Sequence, residues 1–304
     1  MGLAMAANLQ RHLQGQGLPP LQVWNRTACK ADAVTALGAT QCASIAEVIR
    51  RSDIIFISTS NDEALQSIVA QIIATGSLTD KIIVDTTTVH PDTTKAVSAH
   101  LAQQKASMVS APILGSAPMA AERKILVVAA GARSTITRVS PYIKGVIARD
   151  MLHVASEAEK ASLLKLIGNF LVSGLTEIIG EAHVFAEKSQ LDSEVLENLL
   201  DVQFGPLFAM VSRRLTQGVY MPPRGQAPWS SLDLALKDVG HAMDCAAAVG
   251  ARMAVGEVML DHLQRAKAFS EVEDRQLDSA ALYGVVRQEA GLDFESAEVK
   301  RRDA

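Results

Sequence analysis

Short apolar runs of β type alternate with helix-compatible stretches through the first half of this chain, and after about residue 155 the β-type runs stop. The runs are Leu21-Gln22-Val23-Trp24, Asp53 to Ser58, Lys81 to Asp85, Ser107 to Ser110 and Ile125 to Val128. Helical spacing occupies 27–37, 44–51, 61–74, 91–104 and 133–146, with Thr27, Ser44, Asn61 and Ser134 placed as caps. Strands alternating with helices imply an α/β fold, a parallel sheet covered on both faces. The runs at Asp53 and Lys81 are apolar without alternation, the pattern of strands buried on both sides.

The second half reads as helix. Glu157 to Lys188 is one proline-free pattern whose apolar residues, from Leu163 to Phe185, occupy most of the circumference. It is predicted to be largely buried and, at 1.5 Å per residue, roughly 45 Å long. Further helices are predicted near 192–201, 233–248, 252–268 and 276–290, with Val219 to Ser231 a Pro/Gly-rich loop and Lys300-Arg301-Arg302 a solvated tail. Two domains follow, 1–154 and 155–304, as expected for 304 residues at roughly 100–200 per domain.

Lys+Arg 29 against Asp+Glu 33 gives a formal charge of −4, which excludes a broadly basic nucleic-acid binder and an acidic disordered chain. No uninterrupted apolar run reaches the roughly 18 residues of a membrane span, so neither nucleic acid nor membrane is expected as a partner. Cys29, Cys42 and Cys245 lack CxxC spacing and His-rich neighbours; no disulfide scaffold and no metal site is expected, and a reducing compartment fits. Met1 to Ala6 carries no basic region or secretory signal. A cytoplasmic location is the expectation, with organellar targeting open should the N-terminus be incomplete.

A dinucleotide-binding domain opens with an apolar strand, then G-x-G-x-x-G, then a helix whose N-terminus receives the pyrophosphate. Here Met1-Gly2 leads directly into helix-like Leu3 to Leu9, and Gly15-Gln16-Gly17 is followed by Leu18-Pro19-Pro20, a loop. Met1-Gly2-Leu3-Ala4-Met5-Ala6-Ala7-Asn8-Leu9 resembles the end of the G-x-G-x-M-G-x-x-M-A-x-N-L signature of the β-hydroxyacid dehydrogenase family. That family includes 3-hydroxyisobutyrate dehydrogenases, glyoxylate and succinic semialdehyde reductases and the cofactor domain of 6-phosphogluconate dehydrogenase. The resemblance implies a Rossmann-like doubly wound sheet, then an all-helical domain joined by a long helix. Gly2 becomes the third fingerprint glycine. The expectation is that a first strand and two glycines are absent, through a gene-start error or as a genuinely impaired cofactor site.

Gly2 to Asn25 is near the roughly 20-residue offset at which NAD enzymes place an acidic ribose ligand. Trp24-Asn25-Arg26-Thr27 has no acid there, and the planar fork of Arg26 suits a phosphate. The resemblance assigns Asn25, Arg26 and Thr27 to the cofactor and implies NADP, with NAD second. Asp85 to Pro91 matches the family's D-x-[ST]-T-x-x-P at the carboxyl edge of the sheet. Thr87 and Thr88 then offer hydroxyls to the cofactor or cap the helix after Pro91, and His90 reads as a surface residue. Ser110-Ala111-Pro112-Ile113-Leu114-Gly115-Ser116 is similar to D-A-P-V-S-G-G, which makes Gly115 and Ser116 substrate-binding. Leu114 stands where the family has a serine, and a different or more apolar substrate is expected.

Lys165 and Asn169 share a helix face by their four-residue spacing. A lysine among Leu163, Leu164, Leu166 and Ile167 either snorkels its stem along apolar surface or is desolvated for a purpose. Lys165-Leu166-Ile167-Gly168-Asn169 looks like the family's K-L-x-N-N, with Gly168 replacing the first asparagine. The resemblance makes Lys165 the acid/base and Asn169 a catalytic neighbour that holds substrate. Leu232 to Val239 resembles L-x-L-x-x-K-D, which makes Lys237 a contact to both nicotinamide and substrate. Arg275 to Ala280 is similar to the family's terminal region. The resemblance spans residues 1 to about 290. It implies an NADP-dependent oxidoreductase of a small-molecule β-hydroxyacid or related alcohol, assembled as a homodimer or tetramer. The alternatives are an imine reductase-like enzyme, whose relatives usually lack the lysine, and a non-catalytic dimeric scaffold.

Overall fold

The computed structural model describes residues 1–304. It divides into two compact units, Met1–Lys165 and Leu166–Ala304. The first runs α1 (Gly2–Gly15), β1 (Gln22–Val23), a 3-10 turn at Ala28–Ala31, α2 (Asp32–Thr35), β2 (Thr40–Gln41), α3 (Ile45–Arg51), β3 (Ile54–Ile57) and α4 (Asp62–Ile73). It continues through β4 (Ile82–Asp85), α5 (Pro91–Gln103), β5 (Ser107–Ser110), β6 (Ile113–Leu114), α6 (Ala117–Ala121), β7 (Leu126–Ala130), α7 (Arg133–Val139) and β8 (Asp150–Ala155).

Two of the expected caps form: Ser44 accepts from the Glu47 amide and Asn61 from the Ala64 amide. Thr27 and Ser134 make none. The stretch after Thr27 splits into the 3-10 turn and a four-residue α2, and α7 starts after Ala132 with no side-chain cap. Pro141 ends α7 early, because a helix rarely continues through the residue before a proline.

The sheet departs from the all-parallel expectation. β3, β4 and β5 are parallel, but β7 runs antiparallel to β5 and β6 and parallel to β8. Ser110, Ile113 and Leu114 pair with Ala130, Val127 and Leu126 in one continuous register. The chain therefore passes straight through Ala111-Pro112 along the edge of β7 and returns antiparallel, with no crossover to impose parallel order. β1 and β2 form a separate two-stranded sheet, which leaves β3 at one edge of the six-stranded one. Ile82 and Val84 of β4 face a core with Met5, Leu9, Val109 and Val127, while Ile83 faces Ile57, Leu65, Val97 and Leu101. Cover on both faces is thus as the apolar runs require.

The second unit contains most of α8 (Glu159–Lys188), then α9 (Ser193–Leu199), a π segment at Leu200–Phe204, α10 (Pro206–Thr216), α11 (Leu232–Ala248), α12 (Ala254–Val272), α13 (Leu282–Glu289) and α14 (Ala297–Asp303). The division falls inside α8, later than the composition change at 154/155. The first turns of α8 belong with the sheet: Ser162 Oγ lies 2.7 Å from Thr94 Oγ1 and 3.4 Å from Ser110 Oγ, all buried.

Two expectations for this half are corrected. α8 is not largely buried: Leu171, Ile178 and Phe185, spaced two turns apart, are 63%, 59% and 75% exposed, and Ile167 and Val172 are exposed as well. An apolar circumference needs partners on every side, and within the second unit Leu175, Ile179 and Val184 find them on one. The same helix is long and apolar enough to cross a membrane, with mean hydropathy 1.4, but its Glu177 and His183 are buried against His262 and Ser212, as in the core helix of a helical domain. The basic tail is not merely solvated either. It forms α14, where Arg302 donates to the Gly218 and Met221 carbonyls and Asp303 pairs with Arg275 at 2.7 Å.

Candidate active site

The turns that follow β3 and β4 are tied together at the carboxyl edge of the sheet. Asp85 Oδ1 accepts the Thr87 amide at 3.0 Å, an Asx turn that bends the chain off β4. Thr86 donates its amide and its hydroxyl to the Ile57 carbonyl at 2.9 and 2.7 Å. Thr87 Oγ1 accepts the Thr59 amide at 3.1 Å, and the His90 amide donates to Asp62 Oδ1 at 2.9 Å. Thr87 is buried and its hydroxyl serves the clamp, whereas Thr88 is half-buried. Neither caps α5; His90 does, with Nδ1 accepting the Asp92 amide at 3.2 Å.

The N-terminus of α1 comes up beside this edge. A Cβ on Gly2 would lie 3.2 Å from Ser58 Cβ and Oγ, so a glycine permits the close approach. At the end of β1, Asn25 Nδ2 donates to the Thr27 carbonyl at 2.8 Å and Arg26 is exposed. No carboxylate stands at 25–27 to oppose a phosphate. These features fit a dinucleotide: a helix N-terminus beside the carboxyl edge of the sheet and a hydroxyl-bearing turn.

In the next loop Gly115 has φ 140°, and a Cβ there would meet Ile125 Cγ2 at 2.7 Å. Ser116 occupies the N-cap position of α6 without capping it, and Leu114 is held in β6 opposite Leu126. Asn8, which the sequence reading left unassigned, anchors this loop: buried on α1, it donates to the Ala120 and Ala121 carbonyls at 2.9 and 3.3 Å. Lys165 is only 6% exposed, which decides against snorkelling.

In the second unit Asn169, one turn beyond Lys165 on α8, donates to Asp238 Oδ2 at 2.6 Å. Lys237 Nζ donates to Asp238 Oδ1 at 2.7 Å. One carboxylate thus joins two residues that the sequence singled out separately. Asp278 fixes the loop before α11: it is fully buried, accepts the Ser230 amide at 3.0 Å and the Ala280 amide at 3.1 Å, and pairs with Arg214. Only the Lys-Asp adjacency hinted at Asp238; its partner Asn169 is remote in sequence.

Residues 1–154 match the family described as the NAD binding domain of 6-phosphogluconate dehydrogenase. Residues 160–286 match that described as NAD-binding of NADP-dependent 3-hydroxyisobutyrate dehydrogenase. The chain belongs to the β-hydroxyacid dehydrogenase family. It is similar to the NADH-dependent oxidoreductase ucdB of Aspergillus ustus, at 33% identity over 97% of this chain and 98% of that one. Among solved structures, the Mycobacterium tuberculosis 3-hydroxyisobutyrate dehydrogenase with L-serine gives a TM-score of 0.78 at 23% identity, covering 94% of this chain and 96% of that one. An imine reductase from a Pseudomonas species gives 0.61 at 19% identity, covering 93% and 94%. The β-hydroxyacid dehydrogenase fold, a Rossmann-like sheet followed by a largely helical domain, is therefore the fold of this chain. As a family member it is an NAD(P)-dependent dehydrogenase or reductase.

Proposed function

We propose that this β-hydroxyacid dehydrogenase relative interconverts a small β-hydroxyacid, or a related alcohol, with its aldehyde or ketone, using NADP and Lys165 as the acid/base. The burial of Lys165 one turn from Asn169 carries the reading. When bound, the nicotinamide supplies or accepts a hydride at the carbonyl carbon. The oxygen then gains negative charge; the Lys165 ammonium stabilises it and gives it a proton, and in the other direction the neutral amine takes that proton back. Asn169 and Lys237 offer donors to the substrate, each oriented by Asp238. Gly115 and Ser116 supply a substrate loop, and Gly2, Asn25, Arg26, Thr27, Thr87 and Thr88 the cofactor edge.

Arg26 supports NADP, whereas the relative at 33% identity is named NADH-dependent. Lys165 stands against imine reduction, and the departures Leu114, Ser116 and Gly168 are what favour a non-catalytic scaffold. A second copy of the chain is the occupant we assign to the exposed stripe of α8. Leu171, Ile178 and Phe185 recur every two turns, a spacing that pairs with its own copy about a two-fold axis. A panel of small aldehydes and ketones, followed by nicotinamide absorbance, tests the activity. Lys165→Ala is expected to lose about 1,000-fold or more in kcat with cofactor affinity nearly unchanged. A variant that kept a tenth of wild-type turnover would remove Lys165 from the proton step.

A further inference from the structure

Asp85 closes β4 at the carboxyl edge of the sheet, with the uncharged Ile57 and Ser110 as its ladder partners on β3 and β5. It is 1% exposed. One carboxyl oxygen accepts the Thr87 amide at 3.0 Å, and the other is buried with no hydrogen-bond partner. As a carboxylate this group would bury an uncompensated charge, whereas as the acid it leaves only one O–H without an acceptor, the smaller penalty. Nothing in the family motif assigns Asp85 a task, yet every bond of the clamp that holds Thr87 radiates from the segment it bends.

We propose that Asp85 is a positioning residue for the cofactor edge: through the Asx turn its neutral carboxyl sets the direction of Thr87 and Thr88. The proposal rests on the dinucleotide reading given above. The acid and its ionised form differ in consequence. As a neutral acid, the carbonyl oxygen keeps the Thr87 amide and no charge is buried, at the cost of one unpaired O–H. Once ionised, it is bound more strongly by Thr87 but carries a charge in a buried site; that desolvation is the larger effect, and it destabilises the folded turn. Burial pushes the Asp85 carboxyl up to about 7 from an ordinary 3.8. Asp62 on α4, which accepts the His90 amide, is the charged group that acts on it, and it pushes the same way. Protons are therefore held in the folded protein up to neutral pH, and the stability of the turn is lost as pH rises through about 7.

The test compares wild type with Asp85→Asn and Asp85→Ala by titrating NADPH and NADH at about pH 6 and about pH 8.5, and by amide hydrogen exchange over residues 85–90 in the cofactor-free protein. Asparagine mimics the neutral acid, so Asp85→Asn is expected to bind as wild type does at the lower pH and to change little between the two. Wild type is expected to weaken roughly fivefold to tenfold at the higher pH relative to Asp85→Asn, whose curve also cancels titration of the cofactor phosphate. Asp85→Ala is expected to weaken roughly tenfold at both, with faster exchange at Thr87 and Thr88. Failure of asparagine to rescue, or an alanine variant that binds and exchanges like wild type, overturns the proposal. Should wild type bind neither nucleotide, the dinucleotide reading falls on its own. The exchange pattern, slow in wild type and Asp85→Asn at the lower pH and fast in Asp85→Ala, still decides for or against Asp85.

Discussion

Asp238→Ala removes the one carboxylate that two side-chain donors share. Lys237 Nζ is 2.7 Å from Oδ1 and Asn169 Nδ2 is 2.6 Å from Oδ2. At that separation an effective dielectric of about 20 gives a direct Lys-Asp attraction of about 6 kcal/mol, most of it cancelled by the desolvation of both groups. A charge-assisted hydrogen bond nets about 1.5–3 kcal/mol. The Lys237 and Asp238 side chains are 16% and 11% exposed, so little is lost to solvent screening. A coupling of about 1–3 kcal/mol is expected between Asp238 and each partner in a double-mutant cycle. The assay is urea unfolding of wild type, Asp238→Ala, Lys237→Ala, Asn169→Ala and the two doubles, which requires no substrate. Once a substrate is in hand, the same set should show Asp238→Ala lowering kcat more than it raises KM, because Asp238 orients groups that touch substrate. Additive losses to within about 0.3 kcal/mol in both cycles would refute the claim that Asp238 holds the two side chains as a unit.

Arg26→Ala should weaken NADPH roughly tenfold or more and leave NADH within about twofold, by fluorescence titration; equal losses for both would mean that Arg26 only supports its turn. Gly284→Ala should destabilise the helical unit by about 1–3 kcal/mol in the same urea assay. The added Cβ would fall 2.4 Å from the Phe294 ring, which is stacked at 3.8 Å on Phe269 and cannot retreat. Ile178→Glu with Phe185→Glu should give a monomer by light scattering at micromolar protein, and a monomeric wild type would remove the two-copy assignment of the α8 stripe.

What the sequence disclosed follows the physics of its elements. β3 and β4 were legible because continuous apolar runs belong to strands buried on both faces, and the shorter runs at 21–24, 107–110 and 125–128 mark β1, β5 and β7. β2 and β6 are two residues long and exist through their ladder partners, and β8 carries Asp150 and His153 on an edge, so no pattern marks it. α10 was missed in the sequence; its Pro206 sits at the first position, where the missing amide costs nothing. The Lys165–Asn169 relation survives folding because both lie on one helix. The roles of Asp238, Asn8 and Asp85 were hidden because each depends on a partner or a degree of burial that spacing does not encode. The apolar circumference of α8 stated a demand for cover, without stating which side would meet it within one chain.

The antiparallel return of β7 has a bearing on the order in which the first unit forms. Ser110, Ile113 and Leu114 meet Ala130, Val127 and Leu126 across one short excursion of chain through α6, whereas the β3–β4 and β7–β8 ladders enclose longer ones. A shorter excursion costs less entropy to close. The amides of β6 and β7 should therefore gain protection ahead of those of β3 in pulse-labelled hydrogen exchange during refolding.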